Sequence, residues 1–363
     1  MTGIHYGHGV MDLRMLSRSL PVILAPILLT KPVIHPLSEE ASAAQLYEQA
    51  LAHIERLDSP NTRRLGACAA MGCWAAMIDL NDEVKTFVTE LEPALVLARK
   101  AAAQQEVNWT SKGQNGEHLI HLGRLARTIS GMFVISARQA LAEGNHSLAI
   151  DDLSAAVRVT RQAAATPSFM AKLIETAALR PAFDTLAEHL PAFSKPQLES
   201  LRQQLERLPK SPSLEEVFLG EYEVGKRNAA APDPQTGAVD PTTVKMFSEL
   251  KGFYQALATA TSLRKKSFAK KVQEQVEKHP DNPFAQALAN LFPPQHEMAT
   301  AELIRWAMLE TAIRIRLEGE QAASQSKDPV FEQPFFFKKT DQGFELGSKF
   351  QSNGKSIQVR FGP

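Results

Sequence analysis

One feature limits what this chain can fold into. From about residue 40 to about residue 323 its apolar residues recur at helical spacing, and a strand-like alternation begins only at residue 335. Leu46, Tyr47, Ala50, Leu51 and Ile54 form one apolar stripe. Val84, Phe87, Val88, Leu91, Leu95 and Ala98 form a second, and Leu122, Leu125, Ala126, Ile129, Met132 and Phe133 a third. "LGACAAMGCWAAMIDL" (65–80) is apolar on every side and reads as a buried central helix. A polar, glycine-bearing loop is expected at "NWTSKGQNGE" (108–117). The fold class that follows is mostly α: an irregular bundle of helical hairpins, partly tetratricopeptide-like, closed by a small C-terminal antiparallel β element.

The hairpin signal is clearest in "ALAEGNHSLAIDDLSAAVRV" (140–159). Gly144 suits the residue just past a helix end, and Asn145 opens the next turn. No second copy appears at a 34-residue period, so a regular repeat array is not expected. "SKPQ" (194–197) and "SLEE" (213–216) fit the capping box, with Ser194 and Ser213 as N-caps, and Asp240–Pro241 marks another helix start. "GKRNAAAPDPQTGAVDP" (225–241) has little to bury and reads as a linker or long loop. A basic amphipathic stretch runs from Arg264 to Lys278, and a helix is expected from about Thr300 to Ala323. Strands are expected over 335–339, 343–349 and 356–361, joined by turns at Asp341–Gly343 and Ser352–Gly354. The segments are then 1–40, signal-like or anchoring; 41–224, helical domain; 225–241, linker; 242–327, a continuation of the bundle; and 328–363, the β element.

Charge narrows the partners. Forty basic residues balance forty acidic ones, whereas nucleic-acid binders carry a basic excess to neutralise phosphate. Nucleic acid is therefore not an expected partner. Cys68 and Cys73 lie five apart in a helical run, about 8 Å apart by helix geometry and beyond disulfide reach. Arg14 and Arg18 precede the apolar run "SLPVILAPILLT" (19–30), which has signal-peptide length but is short for a membrane span. Export to the periplasm or envelope is the expectation, with membrane contact only through this segment if it stays uncleaved.

Candidate chemistry is sparse. Glu117, His118 and His121 stand at a helix start, with the two histidines on one face as a metal pair would be. The order is not the H-E-x-x-H of zinc proteases. Glu215, Glu216, Glu221 and Glu223 are the alternative acid–base set. No nucleophile elbow, phosphate loop or dinucleotide fingerprint occurs. No cofactor is expected. The leading functional expectation is a non-enzymatic interaction or scaffold module, with another envelope protein as its partner. The alternatives are a metal-dependent or carboxylate-based hydrolase, and a helical domain that binds an apolar ligand.

The C-terminus carries a resemblance. Asp328, Pro329, Pro334, Phe335, Gly343, Phe344, Leu346 and Ser348 follow a D-P-x-x-x-x-P-F…G-F-x-L-x-S pattern. It resembles the ending of a family of large, signal-bearing bacterial helical proteins, and "SAAQLYEQALAHI" and "EGNHSLAIDDLSAAVRV" are similar to them as well. The resemblance implies a helical, exported protein and carries no activity. The hairpin is also similar to the C-terminus of type II secretion pseudopilins. Their calcium-binding loop is acidic, and "KFQSNGKS" (349–356) has no carboxylate, so calcium binding is not implied here. Within the hairpin, alternation sends Phe335 and Phe337 to one face and Phe336 to the other. Phe335, Phe336, Phe337 and Phe344 are the interaction candidates, on the expectation that Phe336 is either covered or part of a docking surface.

Overall fold

In the computed structural model the described residues are 41–57, 80–105, 107–109, 116–232, 237–262 and 264–363. The signal-like segment, both cysteines and the expected central helix at 65–80 lie outside them, apart from Leu80. The architecture is mostly α with one small antiparallel sheet.

The first part is a set of antiparallel helices. α1 (Ala43–Arg56) packs on α2 (Asp82–Ala102); α3 (Gly116–Ala142) and α4 (His146–Ala163) form the hairpin seen in the sequence; α5 (Phe169–His189) lies against both. Gly144 takes φ 76° at the end of α3, a conformation glycine adopts without strain, and the Asn145 side chain accepts the Leu148 N–H at 3.3 Å. After a 3₁₀ turn at Leu190–Ala192, α6 (Lys195–Glu206) starts at the expected Ser194–Gln197 capping box. The core here is rich in alanine and leucine: Ala50, Leu91, Leu125, Ala137, Ala149, Leu153, Ala156 and Ala182 are all buried. Small residues at the crossings let the helices approach closely. A buried ionic tie crosses this core. Arg99 of α2 grips the fully buried Asp152 of α4 in bidentate fashion, at 2.7 and 2.9 Å, and Ser136 of α3 donates to the same carboxylate at 2.7 Å.

The second part has its own core. α7 (Leu214–Ala229), α8 (Pro241–Ser248), α9 (Lys251–Ala258) and α10 (Lys265–Val276) surround Phe218, Tyr222, Phe247, Phe253, Tyr254 and Phe268. Phe169 of α5 and Phe292 join this cluster, so segment 242–327 does not simply continue the first bundle. α11 (Pro283–Glu318) belongs to both parts. Its first half places Ala285 and Phe292 in the aromatic core; its second half places Ile304, Met308, Leu309 and Ala312 in the first core. With 36 residues it is about 54 Å long.

Two sequence expectations shift. The helix expected from Thr300 begins at Pro283 and passes through Pro293 and Pro294. Proline breaks one backbone bond and strains the preceding turn, but packing of Phe292 and Ala299 on either side holds the helix together. It ends at Gly319, and a separate short α12 follows (Gln321–Gln325). The expected linker also begins too early, because α7 runs through 225–229. Gly225 lies inside α7: a Cβ there would overlap the Phe247 ring, so the missing side chain lets that ring pack on the helix.

β1 (Phe336–Thr340), β2 (Gly343–Ser352) and β3 (Lys355–Phe361) form a meander in the order β1-β2-β3. Asn353 and Gly354 both take positive φ, the two-residue turn that matches strand twist. β2 and β3 lie on α11, and β3 also on α5, where Gly362 N–H bonds the Ala187 carbonyl at 2.9 Å. The sheet thereby adds Phe335, Phe344, Leu346, Phe350, Ile357 and Phe361 to the first core. The D-P pattern has a mechanical role. The buried Asp328 carboxylate accepts the N–H groups of Val330 and Phe331 at 2.8 and 3.2 Å, and the Ser348 hydroxyl of β2 donates to its other oxygen. A Cβ on Gly343 would overlap the Phe361 carbonyl, so only glycine fits there.

Candidate functional site

Where the two cores meet, a cleft of about 600 Å³ opens between the loop after α2, the α4–α5 turn and α7. Its first wall is Trp109. The indole N–H donates to the Gln162 carbonyl at 2.9 Å, and the ring stacks on Tyr47 with centroids 6.1 Å apart. Tyr47 donates to Gln162 Oε1 at 2.6 Å, and Gln162 Nε2 donates to the Gln104 carbonyl at 3.1 Å. Burial pushes the Tyr47 hydroxyl well above its ordinary range, so it stays a donor. This chain of bonds fixes the loop to α1 and α4.

The second wall is the turn Ala165–Pro167. It leads into α5, whose first N–H groups are satisfied by Ser168, which accepts from Ala171 at 3.2 Å, and by Glu221 of α7, which accepts from Phe169 at 2.9 Å. The third wall is α7, where Gly220, Glu223, Val224 and Arg227 share one face. A Cβ on Gly220 would overlap the Pro167 carbonyl, so α7 sits directly on the turn. The lining is apolar at Val107, Trp109, Pro167 and Val224, and polar at Asn108, Thr166 and His118, with Glu223 and Arg227 exposed. Apolar walls, a few polar groups and this volume are the features of small-molecule sites.

The structure sends the two histidines of the metal candidate to different neighbours. His118 is buried and lines the cleft. His121 turns to α1, its Nε2 2.7 Å from Glu48. The side chain of Glu117 lies outside the described residues. Among the described residues no three histidine, cysteine or acidic groups cluster as metal ligands.

The carboxylate set is likewise spread out. Glu215 is exposed. Glu216 closes the Ser213 capping box at 2.7 Å, and its hydrogen bonds from Ser213 hold its carboxyl below the usual range. Glu221 caps α5, and burial raises its carboxyl. Glu223 alone reaches the cleft. Of the four phenylalanine candidates, Phe335 and Phe344 are buried, Phe337 is half-buried against Phe344 at 5.6 Å, and Phe336 is 62% exposed with Lys349 above its ring at 5.9 Å. The basic stretch forms α10, which buries Phe268, Val272 and Val276 and exposes Lys266 and Lys270.

One constellation escaped the sequence. Ser211 donates to Glu175 at 2.7 Å, Lys172 donates to the same oxygen at 2.8 Å, and Lys172 also contacts the Ser211 hydroxyl. A serine beside a lysine forms the nucleophile and base of some hydrolases. Here both point to one carboxylate, so the lysine is ion-paired and the trio ties the α6–α7 loop to α5. Lys172 and Glu175 are three apart and readable on a helix, but Ser211 arrives from 36 residues away. The cleft was equally hidden, because its walls come from four separate stretches; Trp109, a tryptophan in the polar loop expected at 108–117, was its one sequence sign. Compared with family models, curated proteins and solved structures, the chain matches none.

Proposed function

We propose that the chain is a non-enzymatic binding module whose helical body presents the cleft at the junction of its two cores to a ligand with an apolar body. The supporting observation is the cleft itself: a recess of about 600 Å³ whose apolar walls are each pinned by hydrogen bonds or close backbone contact. A pre-organised recess loses little freedom on binding. The catalytic alternative has less behind it, since the carboxylates it would use serve as caps or face solvent. The same proposal places the protein in the bacterial envelope, within the exported family its C-terminal pattern resembles.

Titration with 8-anilinonaphthalene-1-sulfonate tests the cleft. Ala165 is exposed and lines the recess, so Ala165→Trp fills it without touching a core. Saturable one-to-one binding, weakened about tenfold or more by this substitution, is expected. Absence of saturable binding, or equal binding by the variant, sinks the reading. Cell fractionation tests the location: full-length, unprocessed protein in the cytosol would rule out export.

A further inference from the structure

The three-stranded sheet has an open side. β1 pairs with β2 alone, in register from Phe336 opposite Gly347 to Thr340 opposite Gly343, and its other edge has no strand beside it among the described residues. In an antiparallel pair, alternate residues turn their N–H and C=O groups away from the partner strand. Among the described residues no backbone group outside the sheet bonds those of β1. An edge of this kind is a template for a further strand, and its side chains select which one.

Two features of the side chains narrow the choice. The first is an exposed ring. Phe336 is 62% exposed, and its cross-strand partner Gly347 has no side chain to cover it. The second is charge. On the water-facing side of the sheet Lys338, Lys349 and Arg360 share a single carboxylate, Glu345, which stands 3.7 Å from Lys338 and opposite Arg360 in register. That face therefore carries a cationic excess beside an uncovered aromatic residue. A second copy of β1 is a poor match: full antiparallel overlap would set Lys338 of one chain against Lys338 of the other, and like charges directly opposite repel. An acidic strand with an apolar residue two positions from its carboxylate matches both features.

We propose that β1 accepts an extended acidic segment of a partner protein as a fourth, antiparallel strand, at a surface separate from the cleft. A carboxylate of the segment lies opposite Lys338 and an aromatic or branched apolar residue opposite Phe336. The segment's backbone takes the outward N–H and C=O groups of β1.

Fluorescence anisotropy of the full chain with the labelled peptide Gly-Thr-Glu-Glu-Val-Phe-Gly tests this. Antiparallel pairing sets its second glutamate opposite Lys338 and its phenylalanine opposite Phe336. Saturable binding is expected, about tenfold or more weaker when both glutamates are lysines. N-methylation of alternate peptide amides separates strand addition from charge attraction alone. Methyl groups on the edge facing β1 should abolish binding, and those on the far edge should leave it within about twofold. Phe336→Ser and Lys338→Glu alter exposed residues, so both should keep the fold, checked by circular dichroism, and each should weaken the peptide by about tenfold. A peptide with lysine opposite position 338 should recover binding to Lys338→Glu, and Ala165→Trp in the cleft should change nothing. No saturable binding overturns the proposal, as does equal binding of the lysine peptide, an equal effect of the two methylation patterns, or unchanged affinity in Phe336→Ser. A dimer in sedimentation that Phe336→Ser dissociates would give the edge to a second copy and overturn it too.

Discussion

The two largest cores among the described residues are filled in opposite ways. In the first, helices of 12 to 27 residues cross at alanines and leucines, and the density comes from close backbone approach. In the second, α8 and α9 have only eight residues each, too short to interlock along their length. Rings fill the space instead: Phe218 alone packs against Phe169, Phe268 and Phe292 at 4.8 to 5.6 Å. Long regular helices bring their own complementary surfaces, while short ones need large side chains to close the gaps between them. The cleft lies at the seam, where neither mode of packing continues into the other.

This contrast can be broken at several points. The largest effect is expected from deleting residues 328–363, which strips Phe335, Phe344, Leu346, Phe350, Ile357 and Phe361 from the first core. At about 1.5–3 kcal/mol for each buried side chain, soluble folded protein should be lost; an unchanged melting profile would show that the sheet is not part of that core. Next comes Phe218→Ala, which opens a cavity among the rings and should destabilise by about 3–5 kcal/mol in denaturant unfolding. The first core should respond to added volume instead. Ala156→Leu at the α4 crossing should destabilise by about 1–3 kcal/mol, and a neutral outcome would mean that crossing is looser than its burial implies.

At the seam, Gly220→Ala forces α7 off the Pro167 carbonyl, with an expected loss of about 1–3 kcal/mol together with weaker dye binding in the cleft. The smallest effects are in pH. Burial raises the Glu221 carboxyl above 4.5, so ionising it weakens the fold as pH rises from that value; Glu221→Gln keeps an acceptor for Phe169 N–H and should flatten this part of the stability profile. His296 shows the reverse sign. It stacks on Phe268 at 3.9 Å and its Nε2 bonds the Thr261 carbonyl at 2.8 Å, while its buried Nδ1 has no partner among the described residues. Burial lowers its basicity below 6.5, so the stability it supports is whole above pH 6.5 and falls as pH drops below that. His296→Phe should remove this acid sensitivity, read by thermal melts at pH 5 and pH 7.

Much of the chain was legible in sequence because it is local. The capping boxes at Ser194 and Ser213, the Gly144–Asn145 turn, the Asp240–Pro241 start and the turn at Asn353–Gly354 all act within four residues, and each stands where the sequence puts it. Misreadings came where a distant partner changed the meaning of a local signal. The expected linker starts at Gly225, yet that residue lies inside α7, where Phe247 supplies the ring it accommodates. The helix expected from about Thr300 starts at Pro283 instead, and α11 runs on through Pro293 and Pro294. Phe336 looked too apolar to face water, and it does face water, because α11 covers β2 and β3 while β1 sits at the sheet's edge.

The sequence by itself determined a helical-hairpin body, the order of its elements and the three-stranded ending, since periodicity and capping depend on neighbours along the chain. Only the tertiary structure decided that there are two large cores among the described residues, that His118 and His121 turn to different partners, and that Trp109, Pro167 and Val224 enclose one recess. Those outcomes depend on contacts between residues 50 or more positions apart, such as Trp109 with Gln162 and Phe169 with Glu221, and no local pattern encodes which distant surface a helix face will meet.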